Sequence, residues 1–283
     1  MKRTILIDSN YIGYKAALTT GFLQYDETKT GTMYGFFNQL FTLKKEYPNS
    51  NLVFFWDSKK SERKKIFPGY KNRKKDLTEE EEQEWEKVFR QFNLLKNRIL
   101  PWVGLNNQFR QRGYESDDLI AQYVFNKRKD EKVVVATADD DLLQLLDYCD
   151  IFNLGKNKLF TRKIFMDQWG IAPKQWGTVK QIAGCKSDTV PGVPGVAEKT
   201  AVKYLLGNMN KNTKTYKKII ENKKLIDFNA QLVILPFKGA NAVNMQISTD
   251  SFQSKAFLDV CRKYDWHSFR NKKRRRAIKE LFN

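Results

Sequence analysis

The sequence predicts an α/β domain built on a mostly parallel sheet, with a helical region behind it. Three observations lead there. Buried-type apolar runs recur at residues 4–7, 51–56 and 132–136. A stretch with helical periodicity separates the first two. A carboxylate follows each run: Asp8 after TILI, Asp57 after LVFFW, and Asp139 after VVVATA. Apolar strands alternating with helices are the signature of a parallel sheet. In such a sheet the residues just past the strands converge on one rim, where ligands bind.

Each element has its own reason. Between residues 31 and 47, Met33, Phe36, Phe37, Leu40 and Leu43 fall at helical spacing and make the crossover between strands. Residues 58–75 are dense in Lys and Arg and broken by Pro68 and Gly69, which reads as a solvated loop or a phosphate-binding surface. Thr78 and Glu81 match a capping box, and the acids from Glu79 to Glu82 suit a helix N-terminus. Trp85, Val88, Phe89, Phe92, Leu95 and Ile99 then carry an apolar stripe up to Pro101. After Gly113, YESDDLIAQYVFNK opens a helix over Leu119, Ile120, Tyr123 and Val124, and DDDLLQLLDY opens another. DIFNLGKNKLFTRK reads as a hairpin with Gly155 and Asn157 in its turn. Pro173 opens a helix to about Ala183, and GCKSDTVPGVPGVAEKTAVKYLL reads as turn, Pro/Gly hairpin and helix. Beyond Asn208 the chain is basic and helical in character, with a weak strand candidate at 231–235. Residues 270–283 form a basic helix or a disordered arm.

Composition narrows the function. With 51 Lys and Arg against 32 Asp and Glu, the net charge of +19 exceeds what solubility requires. It points to a polyanionic partner, foremost nucleic acid. Three widely spaced cysteines, Cys149, Cys185 and Cys261, fit a reducing compartment without a disulfide framework or a zinc site. His267 is the only histidine, so Ser/His/Asp and Cys/His chemistry is excluded. No Gly-rich P-loop pattern is present, which disfavours NTP hydrolysis. Asp8 interrupts the short N-terminal apolar run, and no stretch approaches a membrane span, so the expectation is a cytoplasmic protein with no membrane partner.

Five segments supply acids: Asp8; Asp57; Glu115, Asp117 and Asp118; Asp139 and Asp141; and Asp188. Singly, each could cap a loop or a helix. Glu115 and Asp118 stand three apart at a helix start and can share a face. Extended geometry would aim Asp139 and Asp141 the same way. Several carboxylates on one rim need cations among them, and the hard cations for oxygen ligands are Mg²⁺ and Mn²⁺. A pair of such ions can clamp a phosphodiester, activating water on one side and neutralising the departing oxygen on the other.

With GYESDDLIA, TADDDLLQLL and GCKSDTVPGVPGVAEKTA in that order, the chain resembles the 5′ nuclease family of flap endonucleases, phage 5′-3′ exonucleases and the nuclease domain of bacterial DNA polymerase I. The resemblance runs from ILIDSN to the helices after the hairpin and looks like the stand-alone phage form. It implies a PIN-like 5′ nuclease fold: a nuclease domain at 1–170, a helical arch at about 58–112, and a helical DNA-binding region at 171–283. That region would hold a helix-hairpin-helix at about 173–207 and a basic tail at 270–283. It implies 5′-3′ exonuclease and 5′ flap endonuclease activity on DNA, extending to RNA primers, with two Mg²⁺ or Mn²⁺ ions. Asp8, Asp57, Glu115, Asp117, Asp118 and Asp139 would serve the first ion; Asp141 and Asp188 would serve the second. RKKIFPGYKNRKK resembles the arch's phosphate-gripping segment, with Arg63, Tyr70, Lys71 and Arg73 in matching places. There Lys71 and Arg73 would steer the scissile phosphate, and Tyr70 would stack on a base or pack against the arch. Gly192, Val193, Gly195, Val196, Ala197, Lys199, Thr200 and Lys203 match the hairpin that holds DNA, with a K⁺ ion on its carbonyls as a further expectation. The implied partners are 5′ flaps, nicked or gapped duplex, single-stranded 5′ ends and RNA–DNA hybrid, bound by a monomer.

Three departures stand out. Cys185 occupies a position where the family usually has Asp, Asp140 one where it often has Gly, and Ala197 one where the hairpin usually has Gly. A left-handed backbone at Ala197 would cost about 1 kcal/mol or more. Two other readings stay open at this point: an RNase with a related acidic rim, and a non-catalytic, structure-specific DNA-binding protein.

Overall fold

The computed structural model describes residues 3–26, 28–72, 77–240 and 245–282. Strand β1 (Arg3–Asp8) leads through α1 (Ser9–Thr20), a small hairpin β2 (Gln24–Tyr25) and β3 (Thr28–Lys29), and α2 (Gly31–Glu46) into β4 (Ser50–Phe55). Next come α3 (Arg63–Ile66), α4 (Glu79–Leu94) with a π-helical continuation, α5 (Leu100–Trp102), β5 (Gln108–Phe109) and α6 (Ser116–Asn126). Then follow β6 (Val133–Thr137), a 3₁₀ turn (Asp140–Leu145), the hairpin β7 (Asp150–Asn153) and β8 (Lys158–Phe160), and α7 (Arg162–Trp169). The remainder is helical: α8 (Trp176–Ala183), α9 (Glu198–Leu205), α10 (Lys214–Glu221), α11 (Lys223–Val233), α12 (Ser254–Lys263), α13 (His267–Arg270) and α14 (Lys272–Glu280).

The six-stranded sheet runs β5-β4-β1-β6-β7-β8. All neighbours are parallel except β7 and β8. Strand β1 lies between β4 and β6, so the chain moves to opposite sides of it in succession. That reversal opens a crevice at the C-terminal end of β1, the usual place for a ligand in such sheets. Asp8 is the last residue of β1.

Side-chain alternation sends the strands' apolar residues to two faces. Ile5, Ile7, Leu52, Phe54, Val134 and Ala136 share one core with α1, α2, α4 and the last three helices. Leu6, Val53, Phe55, Val133 and Val135 share the other with α6, the 3₁₀ turn and α7 to α9. The expected boundary near residue 170 therefore does not divide two cores, because α12 to α14 return to the sheet.

Helix α1 is an element the periodicity does not announce. It buries small residues, Ser9, Gly13 and Ala16, with only Ile12 as a large one. A Cβ on Gly13 would lie 2.5 Å from the Phe92 ring, so the glycine lets α4 approach α1 closely. Residues 231–235, a weak strand candidate, are instead the end of α11 and the turn after it. The basic tail is a docked helix: Ile278 is buried, and Phe282 stacks on Phe252 with ring centroids 4.2 Å apart. Its cations face solvent while its apolar side closes the core. Among the described residues no helix is long and apolar enough to cross a membrane. Replacing Ile278 by Ala should cost about 2–5 kcal/mol of stability, read from the shift of the urea midpoint.

Candidate metal centre

Asp8, Asp57 and Asp139 stand at or two residues beyond the ends of β1, β4 and β6, the three central parallel strands. A network of donors holds them. Tyr11 N donates to Asp8 Oδ1 at 3.1 Å and Thr137 Oγ1 to Asp8 Oδ2 at 3.1 Å. Ser116 N donates to Asp57 Oδ1 at 2.8 Å, and Ser116 Oγ reaches both Asp57 Oδ1 (2.9 Å) and Asp8 Oδ1 (3.3 Å). Asn10 Oδ1 accepts from Asp57 N, and Thr137 Oγ1 from Asp139 N. Asp8 caps α1 and Asp139 caps the 3₁₀ turn through Asp141 N. Capping and membership of the cluster thus coexist in the same side chains.

The cluster is electrically unfinished. Burial first, then Asp57, pushes Asp8 up to about 7. Burial and Asp141 push Asp139 up to about 6. Asp57 is raised by burial, against the pull of Lys71 and the Ser116 N–H. Asp117 is raised well above the usual range by burial, Asp139 and Asp8. Its Oδ1 is buried with no hydrogen-bond partner among the described residues. Crowded carboxylates with an unclaimed oxygen fit a hard divalent cation, which supplies the missing charge.

Lys71 sits at the edge of this group with a left-handed backbone (φ 50°). Its Nζ lies 2.9 Å from Glu115 Oε2 and 3.6 Å from Asp188 Oδ1. Tyr70 corrects one expectation. Its ring is 1% exposed, which leaves no face for a base. Its hydroxyl lies 2.9 Å from Glu115 Oε2 and 3.0 Å from Asp188 Oδ2, tying the two acids together. Arg73 lies outside the described residues.

Arg63 and Asp118 need a second correction. Arg63 is 3% exposed and forks onto both oxygens of Asp118 at 2.6 and 2.7 Å, while its Nε donates to Leu232 O. Asp118 also accepts from Glu115 N and Phe237 N. With its lone pairs spent on the guanidinium and two amides, Asp118 has no oxygen for a metal, and Arg63 has no fork for a phosphate. Glu115 and Asp118 form a capping box on α6 instead of sharing a ligand face.

A second group lies past β6. Asp141, Cys185 and Asp188 offer ligand atoms that all fall within 4.8 Å of one another. Asp139 and Asp141 come together by a tight 3₁₀ turn and not by extended chain. Asp140 points to solvent and adds no charge to the group. The Cys185 thiol is pushed up to about 12 by burial and by Asp141 and Asp188. Lys180 is the residue that sequence reasoning missed. Its Nζ lies 3.1 Å from Asp141 Oδ1 and 2.8 Å from Glu198 Oε1, bridging the acids to the start of α9. The available signal was a lysine among the apolar residues Trp176, Val179 and Ile182 of one helix. Ser116 and Thr137, also missed, had only their position beside acids to mark them.

The Pro/Gly hairpin packs beside this second group. Val193 and Val196 are buried anchors in the core, so they position the hairpin without facing outward. Gly195 takes the left-handed backbone (φ 79°), and Ala197 is extended at φ −95°, so the anticipated strain at Ala197 does not arise. Gly192 is needed for close approach, since a Cβ there would lie 2.0 Å from Ala183 O. Gly195, Ala197, Lys199 and Lys203 are exposed, and Thr200 is half-buried.

Comparison with known proteins gives a consistent picture. Residues 3–170 match the family described as 5′-3′ exonuclease, N-terminal resolvase-like domain. A 5′-3′ exonuclease of Buchnera aphidicola (subsp. Schizaphis graminum) is 28% identical over 91% of this chain and 84% of its own length. DNA polymerase I of Bacillus caldotenax is 32% identical over 72% of this chain but only 23% of the polymerase. Among solved structures, the bacteriophage T5 5′-exonuclease with bound zinc superposes with a TM-score of 0.68 at 19% identity, covering all of both chains. A T5 flap endonuclease in a pseudo-enzyme-product complex with DNA and metal ions has a TM-score of 0.68 at 19% identity, covering 99% of each. At that identity the two structures bear on the fold alone.

Two outcomes follow from this geometry. Asp8 and Asp139 hold protons in the folded state that the unfolded chain, with ordinary values of 3.8, releases. Their contribution to stability is therefore intact below about pH 4 and is lost as pH rises towards 6 to 7. A divalent ion should offset that loss, so the Tm gain from Mn²⁺ should be larger at pH 8 than at pH 5 by differential scanning fluorimetry. Replacing Arg63 by Met should destabilise the fold by about 3–5 kcal/mol in urea, because Asp118 is left buried and unpaired.

Proposed function

We infer, from the premise that the chain belongs to the 5′-3′ exonuclease family, that it hydrolyses DNA phosphodiesters at 5′ ends and 5′ flaps. RNA at the 5′ end of a hybrid is a substrate of the same class. One observation carries the reading: Asp8, Asp57, Asp117 and Asp139 are gathered at one sheet rim with their carboxylates starved of positive charge.

In this reading Asp8, Asp57, Asp117 and Asp139 hold one divalent ion with Glu115 close by, and Asp141, Asp188 and Cys185 hold another. Mg²⁺ or Mn²⁺ bound there activates water and neutralises charge on the phosphodiester. The protein's own part is positioning. Ser116 and Thr137 fix the carboxylate rotamers of Asp8 and Asp57. Lys71, half-exposed and anchored by Glu115, is placed to take a phosphate oxygen. Water is the nucleophile, since His267 is exposed on α13 and paired with Asp265.

The hairpin holds duplex by its backbone, without reading sequence. Gly195, Ala197, Lys199, Thr200 and Lys203 form the outward surface, Gly192, Val193 and Val196 set its shape, and K⁺ on its carbonyls is part of the proposal. Residues 1–170 would carry the chemistry, with 58–112 bridging over it, and 171–283 would grip duplex as a monomer. Cys185 gives the second group a softer donor set, which favours Mn²⁺ over Mg²⁺ there. Asp139→Asn should abolish cleavage of a labelled 5′ flap in Mg²⁺ or Mn²⁺ while gel-shift affinity for the flap is retained. Full cleavage by that variant would refute the assignment.

A further inference from the structure

Beside the acid rim lies a cationic groove that the metal centre and the hairpin do not use. It measures about 600 Å³ and opens on Asp57. Tyr14 from α1 and Phe89 from α4 line it and are partly open to solvent, at 36% and 44% exposure. Lys59, Lys96 and Arg110 converge on it from three different segments. Arg90 also lines it but faces Glu86 at 3.7 Å. Among the described residues no ion pair involves Lys59, Lys96 or Arg110. Lys96 lies 5.6 Å from the ring centroid of Trp56 on the groove floor. Burial, Arg110 and Lys59 hold its ammonium below the usual range. Three cations crowded together without an acid lack an anion, and a multiply charged one relieves them best.

Position decides which anion. The groove lies on the β4 side of the cluster, between α1 and α4. The hairpin lies on the β6 side, where α8 and α9 pack. The acids therefore stand between a duplex grip and the groove. A volume near 600 Å³ is of small-ligand size and cannot admit duplex. Aromatic faces beside cations suit a base carrying a phosphate.

We propose that this groove is a subsite for the 5′-terminal nucleotide of the strand being cut. Lys59, Lys96 and Arg110 hold its phosphomonoester, and Tyr14 and Phe89 flank its base. The proposal rests on the 5′ nuclease reading and deepens it: strands with a 5′-phosphate close to the scissile bond are the favoured substrates.

Two measurements test it. Tryptophan fluorescence of the metal-free protein is titrated with deoxyadenosine 5′-monophosphate and with deoxyadenosine. Saturable quenching by the monophosphate alone is expected, lost in Lys96→Met/Arg110→Gln and kept in Lys96→Arg. Nicked duplexes with a 5′-phosphate or a 5′-hydroxyl are then cut side by side. The phosphorylated end should be cut about tenfold faster, and the double variant should lose that preference. Equal cutting of both ends by the unaltered protein, with no monophosphate binding, overturns the subsite and leaves the nuclease reading standing. Failure to cut either end sinks the nuclease reading, and the fluorescence titration then decides the subsite by itself.

Discussion

Carboxylates that repel one another are held at a single rim, and the rest of the architecture serves that arrangement. The parallel sheet delivers three of them because β1, β4 and β6 end side by side. Backbone amides and the hydroxyls of Ser116 and Thr137 fix their rotamers before any cation arrives. Burial raises the cost of their charge, so a divalent ion gains more there than it would in water. Preorganised ligands of this kind bind and orient an ion with little rearrangement.

Around that core, acids of identical chemistry do different jobs according to their neighbours. Asp117 keeps an unclaimed oxygen, whereas Asp118, the next residue, is locked by Arg63. The buried Arg63–Asp118 fork pins α3 against α6 and, through Leu232 and Phe237, reaches α11 and the turn beyond it. Lys180 plays the matching part on the other side, joining Asp141 to the first residue of α9. The two cations thus connect the acid rim to the helices behind it, which ties the alignment of any bound strand to the geometry of the acids.

Much of this was legible in the order of residues. Apolar runs ended by Asp gave the strands and their shared rim, and the helical spacing of Met33 through Leu43 gave α2. The Thr78–Glu81 capping box is present as expected, and Asn157 takes the left-handed turn position at φ 52°. What stayed hidden depends on tertiary partners. Helix α1 packs through small residues, so its sequence carries no apolar stripe. Nothing local separates Asp117 from Asp118, because the arginine that claims Asp118 lies 55 residues away. Tyr70 and Arg63 carry the composition of a nucleic-acid grip, yet they are buried by packing that composition does not encode. The tail looked free because its charge outweighs its apolar residues, but Ile278 and Phe282 suffice to dock it.

The central claim is that these distant acids form one ion-holding pocket. Anomalous diffraction from a manganese-soaked crystal tests it directly. The account predicts one peak among Asp8, Asp57, Asp117 and Asp139 and a second beside Asp141, Cys185 and Asp188, with none at Asp118. A map with no peak among the first four side chains would contradict it.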